Sequence, residues 1–208
     1  MKKLLITILK GINHFFIIIS YLLNFIKSLP HVLVFNTNKN QSLIQADVMR
    51  WLTVLQLNMS VKKGFVHLLT FYPEYRNLFY KRAGTAGNYI RFLYPPMETL
   101  QIATNDIGEG LYIQHGIATI IAAKYIGKNC WINQQVTIGF SNSTDCPTLL
   151  DNVTINAGAK VIGGITIGNN CIVGANAVVV KNVPDNCVVV GVPARIVKRD
   201  GIRVDEKL

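Results

Sequence analysis

Four histidines are the first candidates for chemistry, because a neutral imidazole can take a proton from a hydroxyl near neutral pH. His14, His31 and His67 fall in an N-terminal half with no recognisable chemical motif, where structural or surface roles are expected. His115 stands apart, in a block that reads His-Gly-x-x-x-Ile from His115 to Ile120. Its competing reading is that of an ordinary polar turn residue. The cysteines, Cys130, Cys146, Cys171 and Cys187, show no Cys-x-x-Cys pair and no accompanying histidine pattern, so no metal is expected. Cys130 and Cys171 read as small core residues, which suits a reducing, cytoplasmic setting.

The element that would position His115 is visible as a period. From about residue 100, aliphatic residues recur every six positions. Ile107 and Ile113 begin the series; after one extra residue come Ile120, Ile126, Ile132 and Ile138. Past a break at Gly139 to Thr148 it resumes with Leu149, Ile155, Val161, Ile167, Val173 and Val179. A second series, small or aliphatic, sits two positions earlier: Leu111, Ala118, Cys130, Val136, then Val153, Ala159, Ile165, Cys171, Ala177 and Val183. Lys124 is its exception. Either its stem packs inside while the ammonium reaches out, or the coil is distorted there.

A period of six fits neither a helix nor an alternating strand. It is the signature of a parallel β-helix, in which each hexapeptide gives one short strand and one turn, with two residues pointing inward. Gly127, Asn129, Gly168, Asn170, Gly174 and Asn176 suit turns with positive φ. The break at 139–148 is too polar for a coil edge and reads as a projecting loop.

The N-terminal half has another pattern. Ile44, Val48, Trp51, Leu52 and Leu55 share one helical face. Pro73 suits the first turn of a helix running through Glu74, Asn77 and Tyr80, with Gly84 as its end, and Gly87 to Pro96 reads as a connector. Lys2 and Lys3 precede an apolar stretch that lacks a clear cleavage site. Leu5, Ile8, Ile12, Phe15, Ile19, Leu22 and Ile26 alternate spacings of three and four, an apolar helical seam. The uncharged run between Lys10 and Lys27 falls short of the roughly 20 residues of a spanning helix. A helix between subunits is the first reading, and a helix on a membrane surface the second.

Composition sets the outer bounds. The chain has 208 residues, half of them hydrophobic, and only 15% charged, which points to surface buried between subunits. The net charge of +10 favours anionic partners. No recognised nucleic-acid reader motif accompanies it, so nucleic acid is not expected.

Three segments, "IGEGLYIQHGIATIIAAKYIGKNCWINQQVTIG", "AGAKVIGGITIGNNCIVGANAVVVKNVPDN" and "GVPARIV", resemble serine acetyltransferase and its hexapeptide relatives, among them bacterial acetyltransferases of surface polysaccharides. The resemblance covers roughly residues 100–198. It implies a left-handed parallel β-helix, a trimer with active sites between adjacent subunits, helical N-termini that sometimes join trimers, and acetyl-CoA as co-substrate. It implies that His115 is the general base.

The same resemblance places Ala157 and Ala175 at the slot for pantetheine and Gly139 at a third contact. Lys160, Lys181, Arg195 and Lys198 are then candidates for the phosphates. The serine enzymes of this family carry an aspartate just before the histidine and another fifteen residues upstream, where this chain has Gln114 and Leu100. They carry a second histidine in the projecting loop, where Cys146 stands before Pro147. Glu98 is the nearest upstream carboxylate outside the repeats and the candidate to orient His115. Gln114, Phe140, Asn142 and Cys146 are candidates to meet the acceptor.

The expected fold class is mainly β: a helical region over 1–95, a β-helix over 96–198 and a tail over 199–208. The expected function is O-acetyl transfer from acetyl-CoA to a hydroxyl of a small molecule or sugar, a surface-polysaccharide precursor being favoured, with serine O-acetylation as the alternative and a non-catalytic scaffold as a third class. The expected assembly is a homotrimer or a dimer of trimers, cytoplasmic or peripheral at the inner face of the membrane.

Overall fold

The computed structural model describes residues 23–208. Residues 23–37 form helix α1, followed by α2 (Gln41–Val54), α3 (Val61–Phe71), α4 (Pro73–Ala83) and α5 (Thr85–Ile90). The face expected for α2 is the buried one: Ile44, Val48, Trp51 and Leu52 point into the core. Helix α4 begins on Pro73, carries Glu74 in its first turn and Lys81 and Arg82 in its last, and ends on Gly84 at φ 62°. Its charges match the helix dipole, and only glycine takes that φ without strain. The connector expected from Gly87 is shorter than expected, because Thr85–Ile90 is helical and buries Gly87 against Tyr80 and Ala83 of α4.

Of the N-terminal seam, Leu5 through Leu22 lie outside the described residues. Ile26 lies in α1 and is exposed, and Leu29 and Leu33 extend the same spacing, also exposed. Among the described residues no helix is long and apolar enough to cross a membrane.

The rest of the chain is a β-solenoid of about five turns. Its first face stacks β1 (Leu100–Ile102), β3 (Thr119–Ile121), β6 (Thr137–Gly139), β9 (Lys160–Ile162) and β12 (Val178–Val179). The second stacks β4 (Tyr125–Ile126), β7 (Thr148–Leu149) and β10 (Thr166–Ile167). The third stacks β2 (Tyr112–Ile113), β5 (Trp131–Ile132), β8 (Thr154–Ile155), β11 (Ile172–Val173) and β13 (Cys187–Val190). All these pairs are parallel, and β14 (Arg195–Arg199) and β15 (Ile202–Lys207) then add to the third face as an antiparallel hairpin. Residues 199–208 are therefore mostly strand.

Inside, aliphatic residues stack in columns, for instance Ile113, Ile132, Ile155, Val173 and Val189, all buried. Each such side chain contributes about 2 kcal/mol by leaving water. Asn129, Asn170 and Asn176 turn the corners at positive φ as expected. Gly174 has no positive φ, and a Cβ there would meet Val190 Cγ1 at 2.7 Å. Gly127 and Gly168 turn their corners for another reason, since neither has positive φ. A Cβ at either would come within 2.6 Å of backbone on the next coil, at Leu150 or Asp185, so the corner needs space there.

The expected phase fails at one place. Ile120 is 42% exposed, and the inward residue is Ile121, in register with Ile102 and Ile138. Ala118 is likewise exposed, and Thr119 takes the inner position beside Ile121. Two residues are inserted after Ile113, and one is dropped before Ile126. The insertion is absorbed by a corner in which His115, Gly116 and Ala118 have φ of 64°, 54° and 52°. The dropped residue turns Lys124 outward and puts Ala123 inside, which settles the Lys124 exception as a distortion of the coil.

Helices and solenoid share one core across the first coil. Trp51 Nε1 donates to the carbonyl of Leu111 at 2.9 Å, and its ring lies 4.6 Å from that of Tyr112. Asp47 and Arg82 form a buried ion pair at 2.9 Å between α2 and α4. The same carboxylate accepts the N–H of Gly110, and the same guanidinium donates to the carbonyls of Ile107 and Gly108. Buried charges are tolerated where every polar atom is engaged, and this pair staples both helices to the coil.

Candidate active site

The strand register decides which residues share an edge of the prism. Ile113, Ile132, Ile155 and Val173 are stacked partners. The residues two positions after them, His115, Gln134, Ala157 and Ala175, therefore fall on one edge between the third and first faces. With coils about 4.8 Å apart, Ala175 lies about 14 Å from His115 along that edge. Ala157 is half-buried and Ala175 exposed, and neither side chain extends beyond one methyl. Between His115 and Ala157 sits the amide of Gln134, whose buried Oε1 has no hydrogen-bond partner. An orphan polar atom on an edge lined by small residues is a feature of a ligand site rather than of a packed coil.

At the His115 end the helical half closes in. Gly116 is buried, and a Cβ there would meet Glu74 Cβ, Leu100 Cδ2 and Met97 Sδ, each at 3.1 Å. Glu74 is only 9% exposed. Burial pushes its carboxyl above the usual range, while its own backbone N–H, the charge of His115, that of Arg76 and the His115 backbone N–H pull it back down. Glu98, the carboxylate singled out from the sequence, is exposed and borders a hollow with Asn77, Arg91 and Gln101 that does not include His115. Sequence reasoning missed Glu74, which lies 41 positions before His115 and belongs to no shared motif.

Gln114 is half-buried, and its Oε1 accepts from Trp131 Nε1 at 3.2 Å. That bond leaves the amide of Gln114 as a neutral donor. The edge-on stack of Tyr112 on Trp131, centroids 4.7 Å apart, makes an aromatic wall beside it.

The projecting loop leaves from Gly139 on the opposite side of the first face. A Cβ at Gly139 would meet only Thr137, at 3.9 Å. Asp145 organises the loop by accepting from the backbone of Ser141 and Asn142 and from the Ser141 hydroxyl, whose hydrogen bond is the main reason its pKa is lowered. Asn142 Oδ1 is turned inward to the backbone of Thr144 and Asp145. Phe140 is half exposed at the loop's base, and Cys146 is half-buried before the buried Pro147.

The four candidate cations are not gathered in one cluster. Lys181 and Arg195 border a common hollow at the C-terminal end of the prism, together with Lys207 and Leu208. Lys181 donates to the Leu208 carbonyl, and Arg195 pairs with Asp205. Lys160 lies lower, on the first face, with its ammonium on the carbonyl of Gln135. Lys198 is exposed on β14. Among the described residues, no group of three His, Cys, Asp or Glu side chains could hold a metal ion.

The comparisons with known proteins bear on this geometry. Residues 147–181 match the family described as "Bacterial transferase hexapeptide (six repeats)". A serine acetyltransferase of Synechococcus elongatus is 44% identical over 103 residues, 48% of this chain and 42% of that protein. One of Staphylococcus aureus is 46% identical over 102 residues, 47% of this chain and 48% of its own length. The matches thus span less than half the length of these relatives. Among solved structures, a serine acetyltransferase from Brucella abortus superposes with a TM-score of 0.66 over 83% of this chain and 74% of that one, at 22% identity. A serine acetyltransferase solved as a complex with CoA gives 0.61 over 79% and 72%, at 23% identity.

The fold is that of the serine acetyltransferases. The structural likeness takes in most of the described chain, helices included, whereas the sequence likeness is confined to about half of it.

Proposed function

We propose that this protein is an acetyl-CoA-dependent O-acetyltransferase. The observation that carries the reading is the shared prism edge, with His115 at one end, Ala157 and Ala175 along it, and the orphan amide of Gln134 between. These residues fit a thioester-bearing cofactor: small side chains leave room for a slender pantetheine arm, and a buried, unpartnered carbonyl suits one of its amide N–H groups. Acetyl-CoA supplies the acetyl group as a thioester. His115 takes the proton of the acceptor hydroxyl as its oxygen attacks the thioester carbonyl; the C–S bond breaks and the proton passes to the departing CoA thiolate. Gly139 is the third cofactor contact that the resemblance implies, and Lys160, Lys181, Arg195 and Lys198 offer cations for the phosphates. In keeping with the relatives' assembly as the resemblance implies it, the working unit is a homotrimer with sites between subunits, checked by the mass from light scattering.

The acceptor we favour is L-serine, because the named relatives are serine acetyltransferases, and this displaces the sugar acceptor expected from the sequence as first choice. One set of contacts keeps a saccharide hydroxyl as a second reading. The charges of the helical half that could have paired with an amino acid are otherwise engaged: Asp47 with Arg82, and Arg76 with the carbonyls of Leu69, Thr70 and Pro95. Gln114 is a neutral donor beside aromatic rings, which suits a sugar. The deciding experiment offers purified protein and acetyl-CoA to L-serine and to a panel of sugars, and follows thiol release. Turnover with L-serine alone supports the first reading, turnover with sugars alone the second. No turnover with any hydroxyl acceptor sinks the O-acetyltransferase reading.

A further inference from the structure

We propose that Glu74 of helix α4 is the positioning residue for His115, so that the acid holding this corner comes from the helical half rather than from the coil. The inference deepens the acetyltransferase reading and rests on it for its catalytic consequence.

The corner needs such support. His115 sits in an inserted stretch where three of four residues, His115, Gly116 and Ala118, have positive φ. Coil positions offer no acid. Leu100, where the resemblance calls for an orienting carboxylate, does reach Gly116, but with a methyl group. The Cβ of Glu74 would lie at the same 3.1 Å from a Cβ placed on Gly116, from the opposite element. The two side chains therefore flank one spot, and only one of them carries charge.

Burial makes the placement meaningful. A carboxylate at 9% exposure is costly unless other groups use it. Among the described residues, the ion pairs engage Asp47, Glu109, Asp205 and Glu206, and none includes Glu74. Arg76, two residues on, spends its guanidinium on three carbonyls. Against burial, the backbone N–H of Glu74 itself, the charge of His115, that of Arg76 and the His115 backbone N–H hold its carboxyl down. Its other ionisable neighbour is Tyr112 of β2, which lies close enough for the Glu74 charge to help raise the phenol, after burial. Tyr72, at the α3–α4 junction, acts on Tyr112 in the same way. Arg76 and Tyr112 are thus the groups whose titration registers the Glu74 charge.

The test uses Glu74→Gln, which keeps shape and a carbonyl acceptor for the N–H but removes the charge, and Glu74→Asp, which keeps the charge and withdraws it. In Glu74→Gln, kcat should fall by about 100-fold, the scale of a misplaced catalytic group, with KM for acetyl-CoA within about two-fold. The acid limb of the kcat/KM profile should move, and Glu74→Asp should recover part of kcat. A readout independent of turnover is the ¹³Cε1 resonance of His115, assigned by its loss in His115→Ala. It should shift in Glu74→Gln while those of His31 and His67 stay put. An unmoved His115 resonance with unchanged kcat and pH profile overturns the proposal. A shifted resonance in a protein that acetylates nothing upholds the positioning and sinks the acetyltransferase reading instead. Should Glu74→Gln not fold, the resonance and rate of Glu74→Asp decide: wild-type values in both overturn it.

Discussion

The two halves of this molecule are held together on different terms. The solenoid repeats one solution: each coil lays an aliphatic residue on the one below, and the strand N–H groups find carbonyls of a neighbouring coil. The helical half repeats nothing. It packs unlike aromatics, Phe35 on Phe65 and Phe65 on Phe79, and relies on one buried ion pair to meet the coil. Repetition buries side chains efficiently but gives every corner much the same chemistry. Distinct chemistry arises where the repeat is interrupted and the other half intrudes, at the His115 corner. A solenoid edge supplies the track, and the aperiodic half supplies the acid beneath its end.

If the halves are one cooperative unit, the staple between them should be their most sensitive point. Asp47→Ala leaves Arg82 buried and uncompensated and Gly110 N–H unpaired, and should cost about 3–5 kcal/mol of stability. The urea midpoint should fall for far-UV signal and for tryptophan fluorescence together, since Trp51 and Trp131 report on the two halves. Two separate transitions, with only the helical one displaced, would break the comparison.

His115→Ala addresses the interrupted corner itself. Turnover should drop about 100-fold or more, while binding of CoA and thermal stability hold, because the side chain is exposed and supports no packing. Full activity in this variant would make the corner mere irregularity. A smaller effect is expected further along the edge. Ala175→Phe should raise KM for acetyl-CoA roughly ten-fold with little change in stability, since an exposed edge methyl becomes an obstruction in the space assigned to pantetheine. An unchanged constant would move the cofactor to another edge.

These contrasts also explain what was legible in the sequence. The columns of the solenoid could be read because each inward position is dictated by the coil beneath it, and a local pattern reports a local rule. The helix on Ile44, Val48 and Trp51 was legible for the same reason. Where Ile120 was read as inward and Ile121 is, the hexapeptide rule had been broken by residues whose backbone is held from outside, by Leu100, Met97 and Glu74. No period announces such a contact. His115 itself was found through its motif, but its neighbour Glu74 comes from a different element, and the pairing exists only after the helices have docked. Gln134 was overlooked because its significance lies in a bond it does not make.

The mildest test concerns a buried group that the solenoid has no counterpart for. His31 is fully buried in α1, with Nε2 at 2.9 Å from the Tyr80 hydroxyl and Nδ1 at 3.2 Å from the Lys27 carbonyl. Desolvation lowers its pKa below the ordinary imidazole value of 6.5, outweighing the Lys27 carbonyl, which raises it, and Arg76 pushes it lower still. The unfolded chain therefore takes up this proton near pH 6.5, and the folded protein only at a lower pH. Between the two, unfolding binds a proton, so the stability present above pH 6.5 is lost as pH falls toward the folded value. The slope from one such group is at most about 1.4 kcal/mol per pH unit. His31→Phe should lower stability at pH 7.5, through loss of the Tyr80 contact, yet flatten the dependence of the urea midpoint between pH 7 and 5.5. Other titrating groups are common to both proteins and cancel in the difference. Equal slopes in wild type and variant would mean that acid enters this protein elsewhere, and that its helical half is no more sensitive to protons than the coil.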